Sequence, residues 1–114
     1  MITMYGIKNC DTVKKARALL AERGVDYRFH DYKSEGLDLV TLQTWVDALG
    51  WEILLNTRGT TWRGLPESEK ADVDEAKAVA LMLAHTSLVK RPVLDTGTRL
   101  HVGFDANTYL ELGS

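Results

Sequence analysis

A second cysteine is what this sequence most plainly lacks: Cys10 is the only one in 114 residues. An intramolecular disulfide is excluded, and so is a two-cysteine redox pair within the chain. Metal ligands in paired spacing are missing too. His30, His85 and His101 have no ligand-like spacing to one another or to Cys10, so no metal is expected. No sign of charge dominates, with 14 Lys and Arg against 16 Asp and Glu and a net charge of −2. That leaves no electrostatic footprint for nucleic acid or for an anionic membrane. No apolar run approaches membrane-spanning length, and no secretory apolar segment is seen at the N-terminal end. With one unpaired thiol, the expected compartment is the reducing cytoplasm. Repeats, linkers and low-complexity runs are absent as well, and the carboxylates form no pair that suggests acid–base work.

What is present suits one globular domain. The hydrophobic share of 45% and the charged share of 26% are ordinary. A chain of this length buries somewhat under ~70% of its unfolded surface. Residues 2–16 organise the rest, as a short apolar strand, a turn started by Gly6, and a helix opening directly after Cys10. Asp11 or Thr12 is the expected N-cap, its side-chain oxygen accepting a free backbone N–H of the first turn. Cys10 then lies where helix N–H groups point outward and the macrodipole is positive, which favours the reactive thiolate. Lys8, Lys14 and Lys15 crowd the same end, although a cation in a first helical turn costs about 0.3–1 kcal/mol at low salt. Local rules broken together mark a functional site, so the stretch reads as an anion-holding nucleophile site. A lone cysteine more often behaves as a small buried hydrophobe. Here Lys8, Asn9, Asp11 and Thr12 flank it, and nothing apolar does.

Val13, Ala16, Leu19 and Leu20 give helical spacing over about residues 11–23, with Gly24 as the stop. Residues 25–32 alternate apolar and polar, a strand signature. Strand, helix and strand within about thirty residues form a βαβ unit and predict two parallel strands. Lys33-Ser34-Glu35-Gly36 breaks the pattern. Leu39, Leu42, Trp45, Val46 and Leu49 then share one helix face, closed by Gly50, and residues 51–55 continue as a short helical turn. Residues 56–63 are polar and broken by Gly59, which reads as a loop. Pro66 fits the first position of a brief helix, and residues 76–83 form another with Ala76, Val79, Ala80 and Leu83 on one stripe. Arg91-Pro92-Val93-Leu94-Asp95 reads as a short strand, residues 95–98 as a turn, and residues 99–102 as the antiparallel partner. Asp105 or Asn107 opens a last short helix through Tyr109 and Leu110. The order is β-α-β, helices, β-β-α. It predicts an α/β fold: a thioredoxin-like mixed sheet with a helical insert between the second and third strands. The chain is then one domain, residues 1–114, with its core at about residues 1–34 and 88–114 and the insert at about 35–87.

Chemistry starts at Cys10. Once oxidised to a mixed disulfide or sulfenic acid it needs an outside thiol to resolve it, supplied by glutathione or a glutaredoxin. Arg58 lies in the polar loop and Arg91 directly precedes Pro92, and a guanidinium's fixed fork of donors suits oxyanions. An arbitrary arginine is more often a solvated surface residue, and Arg63, Arg99 and Lys90 are candidates of the same kind. The residues alone do not choose among them. Trp45 and Trp51 read as core, Trp62 as a site wall, and His30, inside a strand pattern, as structural.

Three motifs occur in order over nearly the whole chain: Tyr5-Gly6-Ile7-Lys8-Asn9-Cys10-Asp11-Thr12, Leu54-Leu55-Asn56-Thr57-Arg58-Gly59 and Lys90-Arg91-Pro92. Together they resemble the ArsC-like family of glutaredoxin-coupled arsenate reductases, Spx regulators and a YffB-like branch. The YffB-like branch is the most similar, through Asn9-Cys10-Asp11-Thr12 and Asn56-Thr57-Arg58-Gly59-Thr60-Thr61-Trp62-Arg63. The resemblance implies a nucleophilic Cys10, oxyanion-binding Arg58 and Arg91, and a cis Pro92. Two departures stand out. The reductases carry a third arginine where this chain has Val102, and the Spx group a second cysteine where it has Val13.

The expected function is that of a glutathione-dependent thiol reductase of the arsenate reductase-like family, with Cys10, Arg58 and Arg91 catalytic. Lys8, Asn9, Asp11, Thr12 and Pro92 line the expected co-substrate site. No cofactor is expected to be bound. Glutathione is the co-substrate, glutaredoxin a further partner, the substrate a small oxidised molecule, and the chain a monomer. The alternatives are an Spx-like regulator binding RNA polymerase and a non-catalytic relative that only binds glutathione.

Overall fold

The computed structural model describes residues 2–112. The elements run β1 (Thr3–Gly6), α1 (Asp11–Glu22), β2 (Arg28–Asp31), α2 (Tyr32–Glu35), α3 (Leu39–Leu49), α4 (Trp51–Leu54), α5 (Thr60–Arg63), α6 (Glu67–Lys70), α7 (Glu75–Ala84), a 3-10 turn (Thr86–Leu88), β3 (Val93–Asp95), β4 (Leu100–Val102) and α8 (Ala106–Glu111). Residues up to Glu35 and from Arg91 onward form one compact unit, and Gly36–Lys90 form another.

In the first unit the strands lie in the order β2-β1-β3-β4. β1 runs parallel to β2, with Tyr5 opposite His30 and Gly6 opposite Asp31. It runs antiparallel to β3, with Tyr5 opposite Val93, and β3 pairs antiparallel with β4. This is the mixed, thioredoxin-like sheet that the order of the elements predicts. α1 buries Val13, Ala16 and Leu20 along one stripe. These join Met4, Leu94 and Tyr109 in one cluster, each large apolar side chain contributing about 1.5–3 kcal/mol by leaving water. Gly24, at φ +68, takes the left-handed conformation that ends α1. Asp105, rather than Asn107, opens α8, its Oδ1 accepting the Asn107 N–H at 3.0 Å.

The second strand is shorter than residues 25–32, and Tyr32 opens a helical turn instead of closing the strand. The cause is local. Asp31 Oδ1 accepts the Lys33 N–H at 2.8 Å, and Glu35 Oε2 accepts the Asp31 N–H at 3.1 Å. These side chains satisfy a tight turn that an extended chain would not form.

In the second unit α3 packs on α4 and α7. Asp38 caps α3 by accepting the Thr41 N–H at 2.8 Å, and Asp74 caps α7 by accepting the Lys77 N–H at 2.9 Å. The buried face of α7 is Ala78, Val79, Leu81 and Met82, while Ala76 and Ala80 are exposed. The stripe is therefore rotated from the expected one, because Leu81 and Met82 remove far more apolar area from water than the two alanines. Residues 60–63 form a helical turn where a loop is expected, closed by the Gly64 N–H on the Thr60 carbonyl at 2.9 Å. Pro66 is the N-cap of α6 and not its first helical residue. Trp45 is buried as expected, whereas Trp51 is only half-buried. Among the described residues no helix is long and apolar enough to cross a membrane, and no cluster of His, Cys, Asp and Glu could hold a metal ion.

Candidate thiol site

Cys10 is itself the N-cap of α1. Its backbone is extended, at φ −130 and ψ 121, and its carbonyl accepts the Lys14 N–H at 2.9 Å. The expected oxygen cap from Asp11 or Thr12 is not there: Asp11 is already helical, and no side chain caps the helix. A Ser, Thr, Asp or Asn cap is worth about 0.5–2 kcal/mol over alanine, and sulfur stands in that place. The Thr12 and Val13 N–H groups act on the sulfur as donors favouring a thiolate, without the geometry of a full capping bond.

Arg91 comes from the segment that leads into β3. Tyr5 faces Val93 in register, so the residues after β1 and those before β3 leave the sheet at the same end. The Arg91–Pro92 peptide is cis, and the Pro92 carbonyl accepts the Gly103 N–H at 2.8 Å. Partial burial pushes the Cys10 thiol up. The Val13 N–H, a hydrogen bond from the Arg91 guanidinium together with its charge, and the Thr12 N–H outweigh this and hold the thiol below its ordinary value. The cation acting on the sulfur is thus Arg91. The lysines expected to do so, Lys8, Lys14 and Lys15, are exposed.

Lys8 and Asn9 form an exposed turn, Asp11 and Thr12 are exposed in the first turn of α1, and Pro92 is buried. Val102 lies half-buried opposite Val93. Arg58 belongs to the helical unit. There its own N–H donates to Asn56 Oδ1 at 3.1 Å, and the Asn56 N–H donates to the Leu88 carbonyl at 2.7 Å, which anchors the loop. It lines a cavity of about 510 Å³ with Trp51, Leu55, Asn56, Thr57 and Lys90. Two features of the structure are not anticipated from the sequence. One is Trp51 beside Arg58 and Lys90, hidden because a tryptophan in a helical pattern reads as core. The other is Tyr32, hidden because it continues the strand alternation: it is buried, and its hydroxyl has no hydrogen-bond partner among the described residues.

The ArsC family matches residues 5–112. The solved structure of a YffB protein superposes with a TM-score of 0.96, at 51% identity and over 100% of both chains. The solution structure of an arsenate reductase (ArsC) related protein from Brucella melitensis gives a TM-score of 0.79 at 54% identity, over 97% of this chain and 92% of that one. The global transcriptional regulator Spx of Streptococcus pyogenes is 26% identical over 111 residues, which cover 92% of this chain and 79% of the regulator. With a match that runs nearly end to end on a mixed sheet of the same architecture, this chain belongs to the ArsC family.

Proposed function

We propose that this chain is a thiol-dependent oxidoreductase with Cys10 as nucleophile and glutathione as the external thiol. The observation that carries the reading is the placement of the only cysteine at a helix N-terminus with the Arg91 guanidinium on its sulfur. The Cys10 thiolate attacks the glutathionyl sulfur of an oxidised substrate. The substrate's sulfur–sulfur bond breaks, and its thiolate leaves and takes a proton from solvent. A second glutathione thiolate then attacks the mixed disulfide on Cys10, releasing oxidised glutathione and restoring the thiolate. No second cysteine could do this within the chain, so the resolving thiol is external, from glutathione or a glutaredoxin. Arg91 and Arg58 stabilise negative charge. Lys8, Asn9, Asp11, Thr12 and Pro92 contact the glutathionyl group.

The test is the intact mass after exposure to oxidised glutathione. One glutathionyl adduct is expected on the wild type and none on Cys10→Ser. Thiol-transferase activity surviving in Cys10→Ser would place the chemistry elsewhere. Adduct formation without turnover would instead indicate a relative that only binds glutathione. The similarity to Spx supports a second reading, a regulator that binds RNA polymerase, but Val13 stands where that group carries its second cysteine. A pull-down of RNA polymerase separates the two.

A further inference from the structure

We propose that the cavity of the helical unit is a binding site for an acidic dipeptide, a small zwitterion with two carboxylates, one ammonium and an apolar side chain. The cavity encloses about 510 Å³, and its lining includes Trp51, Glu52, Leu55, Arg58 and Lys90. Pockets for small organic molecules span about 300–1,000 Å³, whereas a lone oxyanion would leave most of this space to water. The site lies within residues 36–90 and does not depend on the reading of Cys10 as nucleophile.

A short two-stranded clip brings these residues together. Leu55 and Val89 form an antiparallel bridge. Beside it the Asn56 N–H donates to the Leu88 carbonyl at 2.7 Å, and the Lys90 N–H to the Leu54 carbonyl at 2.8 Å. Leu55 and Val89 are both buried, which anchors the clip through its apolar side chains. Arg58 follows Asn56 by two residues, and its N–H is held by Asn56 Oδ1 at 3.1 Å. Two cations far apart in sequence thus reach one cavity. Trp51 and Glu52 come from α4, whose last residue, Leu54, supplies one of the clip carbonyls.

The charges of the lining indicate the ligand. Among the described residues Arg58, Lys90 and Glu52 form no ion pair, either with one another or with any other group. An inorganic oxyanion would meet both cations but also the repulsion of Glu52. A molecule with two carboxylates and one ammonium complements all three. The guanidinium fork suits one carboxylate through two hydrogen bonds, and the lysine ammonium suits the second as a point charge. Trp51, a half-buried indole, gives an apolar side chain a wall to pack on. Two solvated surface cations would need neither the cavity nor the indole.

The experiment is a titration of the nitrogen-15-labelled full chain with L-glutamyl-L-leucine, followed by NMR at the Trp51 indole and the amides of residues 51–58 and 90. It is repeated with N-acetyl-L-glutamyl-L-leucine, which lacks the ammonium, and with inorganic phosphate. The variants are Lys90→Gln, Lys90→Arg, Glu52→Gln and Cys10→Ser. Saturable shifts are expected at those positions, in Cys10→Ser as in the wild type, so this site and the thiol reading stand or fall separately. Lys90→Gln should weaken binding roughly three- to tenfold, and Lys90→Arg should largely restore it. Glu52→Gln should weaken the dipeptide and remove its advantage over the acetylated form. Shifts absent from these positions, equal affinity for the acetylated dipeptide on the wild type, or no loss in Lys90→Gln would each overturn the proposal. Phosphate binding as tightly as the dipeptide, or tighter dipeptide binding in Glu52→Gln, would show a simple anion site and overturn it too. The spectrum of each variant reports its fold, and where Lys90→Gln does not fold the Glu52→Gln comparison decides.

Discussion

Gly6 and Val13 pack against each other where β1 hands over to α1: a β-carbon on Gly6 would lie 2.9 Å from Val13 Cγ2. Val13 is fully buried and stiff at its first side-chain torsion, so it cannot swing away cheaply. The contact sets how tightly the turn carrying Cys10 is drawn. Gly6→Ala should destabilise the fold by about 1–3 kcal/mol, the usual range for overpacking a core. Chemical denaturation measures it, and adding Val13→Ala should recover part of the loss by relieving the contact. An unchanged midpoint in Gly6→Ala would show that the helix can shift freely.

The thiol of Cys10 should titrate below the free value of about 8.5, and Arg91→Ala should raise it. The same shift bears on stability, and its sign follows from linkage. A group held low in the fold stabilises it above the unfolded value, and that contribution fades as pH falls through the folded value. The wild type should therefore gain on Cys10→Ala as pH rises from acid toward about 8.5, and no further beyond. Alkylation kinetics give the midpoint, and denaturation at a series of pH values gives the stability difference. A midpoint at or above the free value contradicts both.

Asp38 anchors the start of α3 through the Thr41 N–H at 2.8 Å. Asp38→Ala should cost about 1 kcal/mol and Asp38→Asn much less, since an amide oxygen caps nearly as well. Denaturant midpoints of the two variants settle the order. Equal losses would mean that the carboxylate's charge, rather than the hydrogen bond, stabilises the helix.

Arsenate turnover should be weak, because the resemblance to the arsenate reductases sets Val102 at the place of their third arginine. A hydrogen bond from a charged donor is worth about 1.5–3 kcal/mol, or roughly ten- to a hundredfold in rate if it tightens in the transition state. Val102→Arg should raise arsenate turnover toward that factor, while Arg58→Ala and Arg91→Ala should lower what is present. A coupled reductase assay reads all three. Strong wild-type turnover that neither alanine change disturbs would show the anion site to be misplaced.

Local sequence was enough for much of this architecture. Apolar residues three and four apart in α1 and α3, the stops at Gly24 and Gly50, and the alternation leading into β2 all reflect contacts within one or two turns of chain. The single cysteine likewise settles, by counting alone, that no disulfide can form within the chain. The partner of that cysteine was not legible in this way. In the sequence Arg58, Arg63, Lys90, Arg91 and Arg99 are candidates of the same kind, and Arg91 prevails because the order β2-β1-β3 brings the start of β3 to the end of β1. The buried face of α7 and the burial of the Tyr32 hydroxyl have the same origin. Each depends on which surface a distant element presents, and local spacing carries no information about that; only the packed tertiary structure decides it.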